Sequence, residues 1–66
     1  MQLTLNGESR KVDKELTLTG LLETLSLADR RVAVMVNQQV VRRGEFPQTR
    51  LRDGDAVDII QMVGGG

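Results

Sequence analysis

Only one stretch of this chain has the spacing of a helical face, and it lies between two groups of alternating, strand-like segments. Leu18, Leu21, Leu22 and Leu25 fall at i, i+3, i+4 and i+7, which puts four leucines on one side of a helix about two turns long. Thr17 and Thr19 are the candidate N-caps. A capping box begun at Thr17 asks for Glu or Gln at position 20, and the chain has Gly20 there, so the start lacks the reciprocal bond. Leu27 is placed to close the far end. The leucine stripe fits a core face better than a partner groove, because a lone amphipathic helix in a short chain must bury it against a sheet.

The flanking segments supply that sheet. Met1, Leu3 and Leu5 alternate with Gln2 and Thr4, Asn6-Gly7 provides the positive φ angles of a tight hairpin, and Ser9 to Val12 returns as a second strand. Arg31 to Val36 is apolar on both sides, with Val32, Val34 and Val36 against Ala33 and Met35, as a central strand is. Asn37-Gln38-Gln39 makes a turn and Val40-Val41 a short edge. Phe46-Pro47-Gln48-Thr49 reads as a loop or a single helical turn. Gly54 supplies a left-handed turn between Asp53 and Asp55, and Ala56 to Val63 is the last strand, Val57 and Ile59 inward, Asp58, Ile60 and Met62 outward. The order is ββαββ, an α+β class with a mixed sheet packed on one helix. A right-handed crossover lays the first and last strands side by side in parallel. Residues 1–62 are expected to form the domain and 63–66 a flexible tail projecting from a central strand, with Met62 to Gly66 spanning roughly 16 Å when extended.

Sixty-six residues make one domain with little margin of stability, since a chain this short buries only about 60% of its unfolded surface. Phe46 is its one aromatic, so the expected core is aliphatic. Nine basic and nine acidic residues cancel, which argues against a nucleic-acid partner. The absence of cysteine excludes disulfides, thiolate nucleophiles and zinc-thiolate sites, and suits a reducing interior such as the cytoplasm. No segment is laid out as a signal peptide or approaches the ~20 apolar residues that span a bilayer, so no membrane role is expected.

Catalytic groups are missing as well. There is no histidine to serve a serine; Lys11 and Lys14 lie in polar surroundings; and Asp53, Asp55 and Asp58 have neither an aromatic-lined cleft nor the further oxygen ligands of a calcium loop, so no metal site is expected. Gly64-Gly65-Gly66 precedes no helix, unlike the glycine loops that hold nucleotide phosphates. Such a run is also what a frayed end leaves. It can instead thread: a backbone without side chains enters slots closed to other residues and presents the Gly66 α-carboxylate, ionised at neutral pH because such groups titrate near ~3.5. A carboxylate is a poor acyl donor until adenylated. With no cysteine to hold a persulfide, sulfur carried by these residues has to sit on that carbonyl as a thiocarboxylate.

Val34-Met35-Val36-Asn37-Gln38-Gln39-Val40-Val41, Arg43, Leu51-Arg52-Asp53-Gly54-Asp55-Ala56-Val57-Asp58-Ile59-Ile60 and Val63-Gly64-Gly65-Gly66, with the Asn6-Gly7-Glu8 turn and the Thr17–Leu25 helix, resemble the small sulfur carrier proteins of thiamine biosynthesis over essentially the whole length. The combination of turns and terminal diglycine is specific where each piece alone is weak. Arg42 departs from the pattern, standing where those carriers commonly have proline. The resemblance implies a ubiquitin-like β-grasp fold. It also implies adenylation of Gly66 by a ubiquitin-activating-type adenylyltransferase using ATP and magnesium, sulfur from a cysteine desulfurase relay, and delivery to a thiazole synthase, with no cofactor bound by the chain itself. The small subunit of molybdopterin synthase shares the fold and diglycine but usually carries a proline pair where this chain has Gln61-Met62-Val63. A ubiquitin-like protein modifier and a β-grasp interaction module with an inert tail are the other readings. Gly64 and Gly65 are the threading residues; Ile60 and Met62 are the candidate docking patch, against the plain reading of scattered surface apolar groups. Arg42, Arg43 and Arg50 are either steering charges or a solvated loop.

Overall fold

The computed structural model describes residues 1–12 and 16–62. Strand β1 (Gln2–Leu5) sends Leu3 and Leu5 into the core and turns back at Asn6 and Gly7, φ 49° and 84°. Both central residues of a two-residue hairpin need positive φ to match the twist of the strands, which is why Asn-Gly works there. Strand β2 (Glu8–Lys11) is exposed throughout and pairs antiparallel with β1, Leu5 opposite Glu8. Charged side chains on such an edge discourage pairing with other chains.

Helix α1 (Leu18–Thr24) buries Leu18, Leu21 and Leu22. Thr17 caps it, its Oγ1 accepting from the Gly20 amide at 3.1 Å. At the other end Ser26, φ 61°, turns left-handed while its amide donates to the Glu23 carbonyl and that of Leu27 to Leu22 at 2.8 Å. These two bonds form a Schellman motif with serine where glycine is usual. Leu25 and Leu27 are only partly buried against the core, at the position where the stripe meets solvent.

Strand β3 (Val32–Val36) turns through Asn37 and Gln38, φ 51° and 69°, into β4 (Gln39–Val41). A 3-10 helix, Arg43–Gln48, then leads to β5 (Ala56–Gln61). The sheet order is β2-β1-β5-β3-β4. β5 pairs parallel with β1 and antiparallel with β3, so the first and last strands are neighbours as the crossover requires. The whole is a ubiquitin-like β-grasp: a mixed five-stranded sheet with one helix across one face.

The core comprises Leu3, Leu5, Leu18, Leu21, Leu22, Val34, Phe46, Leu51, Val57 and Ile59. The expected aliphatic interior therefore holds one aromatic as well: the 3-10 helix tucks Phe46 under α1 and leaves it 6% exposed. Leu51, fully buried just before the Gly54 turn, is fixed by its amide donating to the Leu16 carbonyl at 2.8 Å. Among the described residues no helix is long and apolar enough to cross a membrane.

Candidate functional site

Strand β5 overshoots its parallel neighbour. β1 is last paired at Leu5, opposite Val57, whereas β5 continues to Gln61. Asn6 covers part of the difference by acting as one more pairing position: its Oδ1 accepts from the Ile59 amide at 2.7 Å and its Nδ2 donates to the Ile59 carbonyl at 3.2 Å. The strand is held on its other side by β3, with Val32 opposite Gln61, and the Met62 amide donates to the Arg31 carbonyl at 2.9 Å. Main-chain bonds thus fix β5 up to Met62, two residues before Gly64 in the sequence.

The expected outward pair is where alternation put it: Ile60 is 61% and Met62 55% exposed. The register then shows what the sequence could not. Ala33 lies opposite Ile60, and Met35 lies between Asp58 and Val40 on its two neighbours, so all share the face of the sheet away from α1. Val40 is 73% exposed, Ala33 exposed and Met35 half-buried. Uncovered apolar side chains are thus gathered on the open face next to a strand end, the arrangement that marks a candidate contact surface where the same residues scattered would mean little.

The paired aspartates serve the fold. Asp53 Oδ1 accepts from the Gln2 amide at 2.6 Å, and Asp55 accepts from the Arg52 amide at 2.8 Å and from Asn37 Nδ2 at 3.0 Å. Asn37 Oδ1 in turn accepts from the Ala56 amide at 3.0 Å, tying the β3–β4 turn to the start of β5. Gly54 has φ 89°, the left-handed conformation expected of it. These carboxylates organise turns rather than a reaction centre. Lys14 and the expected threading and sulfur-carrying residues, Gly64, Gly65 and Gly66, lie outside the described residues.

Comparison with known proteins extends over those residues as well. The ThiS family matches residues 3–66. The sulfur carrier protein ThiS of Thermus thermophilus is 37% identical over 62 residues, covering 94% of this chain and 95% of the relative. A thiazole synthase of Paramagnetospirillum magneticum is 36% identical over all 66 residues, yet the chain spans only 20% of that protein's length. In three dimensions the chain is similar to the crystal structure of the thiamine biosynthesis protein ThiS from Geobacter metallireducens, with a TM-score of 0.87 and 40% identity over the whole of both chains.

Proposed function

The chain belongs to the ThiS family, and we propose that it is a sulfur carrier for thiamine biosynthesis whose reactive group is the Gly66 carboxylate. The observation that supports the reading is the overshooting β5, anchored by main-chain bonds as far as Met62, with Ile60 and Met62 exposed at its end. It is a small carrier and not a catalyst in itself. A partner adenylyltransferase of the ubiquitin-activating type, supplied with ATP and magnesium, is the proposed activator.

In the first step a Gly66 carboxylate oxygen attacks the α-phosphorus of ATP, pyrophosphate leaves, and an acyl adenylate forms. A sulfur nucleophile, here a persulfide terminus relayed from a cysteine desulfurase, then attacks the carbonyl and displaces AMP. A second thiol cleaves the sulfur–sulfur bond, forming a disulfide with the relay cysteine and leaving a thiocarboxylate on Gly66. A thiazole synthase takes up this sulfur, a partnership supported by a relative of that name that includes a segment similar to this whole chain. The chain's own contributions are placement and access: Asn6 and β3 hold β5, and the glycines offer no side chain to a narrow channel.

ATP–pyrophosphate exchange by the activating enzyme from the same organism tests this reading. Exchange should depend on the carrier and be lost on Gly65→Val, whose β-branched side chain blocks a slot of backbone width. Full exchange with Gly65→Val would remove the threading step, and none with the unaltered carrier would remove the activation step.

A further inference from the structure

Four of the nine basic residues converge on one end of the molecule, although they come from two separate dipeptides. Arg30 and Arg31 immediately precede β3, and Arg42 and Arg43 immediately follow β4. β3 and β4 are antiparallel, with Val34 opposite Val41, so the entry to one and the exit from the other lie at the same end. β5 also finishes there, with Gln61 opposite Val32. Main-chain and side-chain bonds join the group: the Arg31 carbonyl accepts from the Met62 amide at 2.9 Å, and Arg43 Nη2 donates to the Arg30 carbonyl at 3.5 Å. All four side chains are exposed.

The charge is unevenly placed. Segments 29–31 and 42–45 hold four arginines against Asp29 and Glu45, a formal excess of two positive charges in a chain whose total is zero. Arg43 and Arg30 also rim a pocket of about 200 Å³ whose floor includes Leu22, Val32, Phe46 and Pro47. This pocket lies on the helix side of the sheet, and the Ile60 and Met62 patch lies on the other.

We propose that Arg30, Arg31, Arg42 and Arg43 form a cationic collar at the end of β5, beside Met62, and that it docks on acidic side chains around the active-site entrance of the enzyme that activates Gly66. This rests on the carrier reading above. Charge complementarity is the argument for the occupant: a carrier that is neutral overall gains no long-range attraction from its total charge, but a basic end turned toward an acidic entrance orients the encounter with the end of β5 facing the enzyme. Asp29 and Glu45 interrupt the collar, which penalises a continuous polyanion such as a nucleic-acid backbone and suits a folded partner with individually placed carboxylates. The attraction acts over about 8–10 Å at physiological salt, so it works on encounter and leaves the chemical step alone.

Steady-state pyrophosphate exchange separates the possibilities. Arg31→Glu/Arg42→Glu should raise the KM for the carrier about tenfold at low salt and leave kcat unchanged, and the difference should shrink toward nothing at about 0.5 M salt. Arg10→Glu/Lys11→Glu makes the same change in total charge on β2, the opposite edge of the sheet, and should leave KM near that of the parent. Equal effects of the two pairs, or a KM change in the collar pair that salt does not reduce, would overturn the collar. Exchange by the unaltered carrier shows that its activation stands whatever the collar variants do.

Discussion

Replacing Asn6 with alanine should be among the more damaging changes outside the hydrophobic core. The Asn6 side chain makes both of its strand-like bonds to Ile59, 53 residues away in sequence and part-buried. Removing it leaves an amide and a carbonyl of β5 without those partners, at a cost of about 1–3 kcal/mol. Alanine would also have to adopt φ 49°, which adds about 1 kcal/mol. The expected loss is therefore about 2–4 kcal/mol, a large share of the roughly 3–10 kcal/mol available to a domain of this size. Asn6→Gly separates the two causes, because glycine accepts the backbone angle and still loses both hydrogen bonds. It should fall between the parent and Asn6→Ala. Urea unfolding monitored by circular dichroism measures all three, and amide exchange should show the Ile59 protection dropping further than that of Val34. An Asn6→Gly protein as stable as the parent would refute the claim that this side chain holds β5.

Three further outcomes follow from particular contacts. Ile60→Asp should leave the unfolding free energy from urea titration within about 0.5 kcal/mol of the parent, because the side chain is exposed, yet weaken activation as measured by pyrophosphate exchange; unchanged exchange removes Ile60 from the docking surface. Ser26→Gly should stabilise the protein by about 0.5–1 kcal/mol in urea unfolding, since serine holds a left-handed angle of 61° at the helix end. Phe46→Ala should cost about 3–5 kcal/mol, enough to leave much of the chain unfolded, which a thermal melt would show directly.

Where the sequence has a period, the fold was legible. Leu3 and Leu5, the leucines of α1, and the Val57, Ile59 against Ile60, Met62 alternation each reveal one buried face, and Asn6-Gly7 and Gly54 mark turns by their conformational demands. Phe46 and Leu51 escaped notice as core residues because they lie in or beside a 3-10 segment, where no regular spacing separates inside from outside. The Asn37-Gln38 turn was located, but without a glycine nothing announced its two positive φ angles; the Asn37 side-chain bonds to Asp55 and Ala56 brace it. The same contrast holds at the site. Ile60 and Met62 were readable as outward on their own strand, whereas Ala33, Met35 and Val40 join them only through strand register. The Asn6–Ile59 bonds and the meeting of Arg30–Arg31 with Arg42–Arg43 are likewise products of topology, between residues that no local pattern connects.

The central claim concerns one carbonyl, and top-down mass spectrometry addresses it most directly. After incubation with the activating enzyme, magnesium, ATP and a sulfur donor, the intact protein should gain the mass of one oxygen exchanged for sulfur, and fragmentation should place that gain on Gly66. An unchanged mass under conditions in which the enzyme turns over ATP, or a gain located on any other residue, would contradict the account.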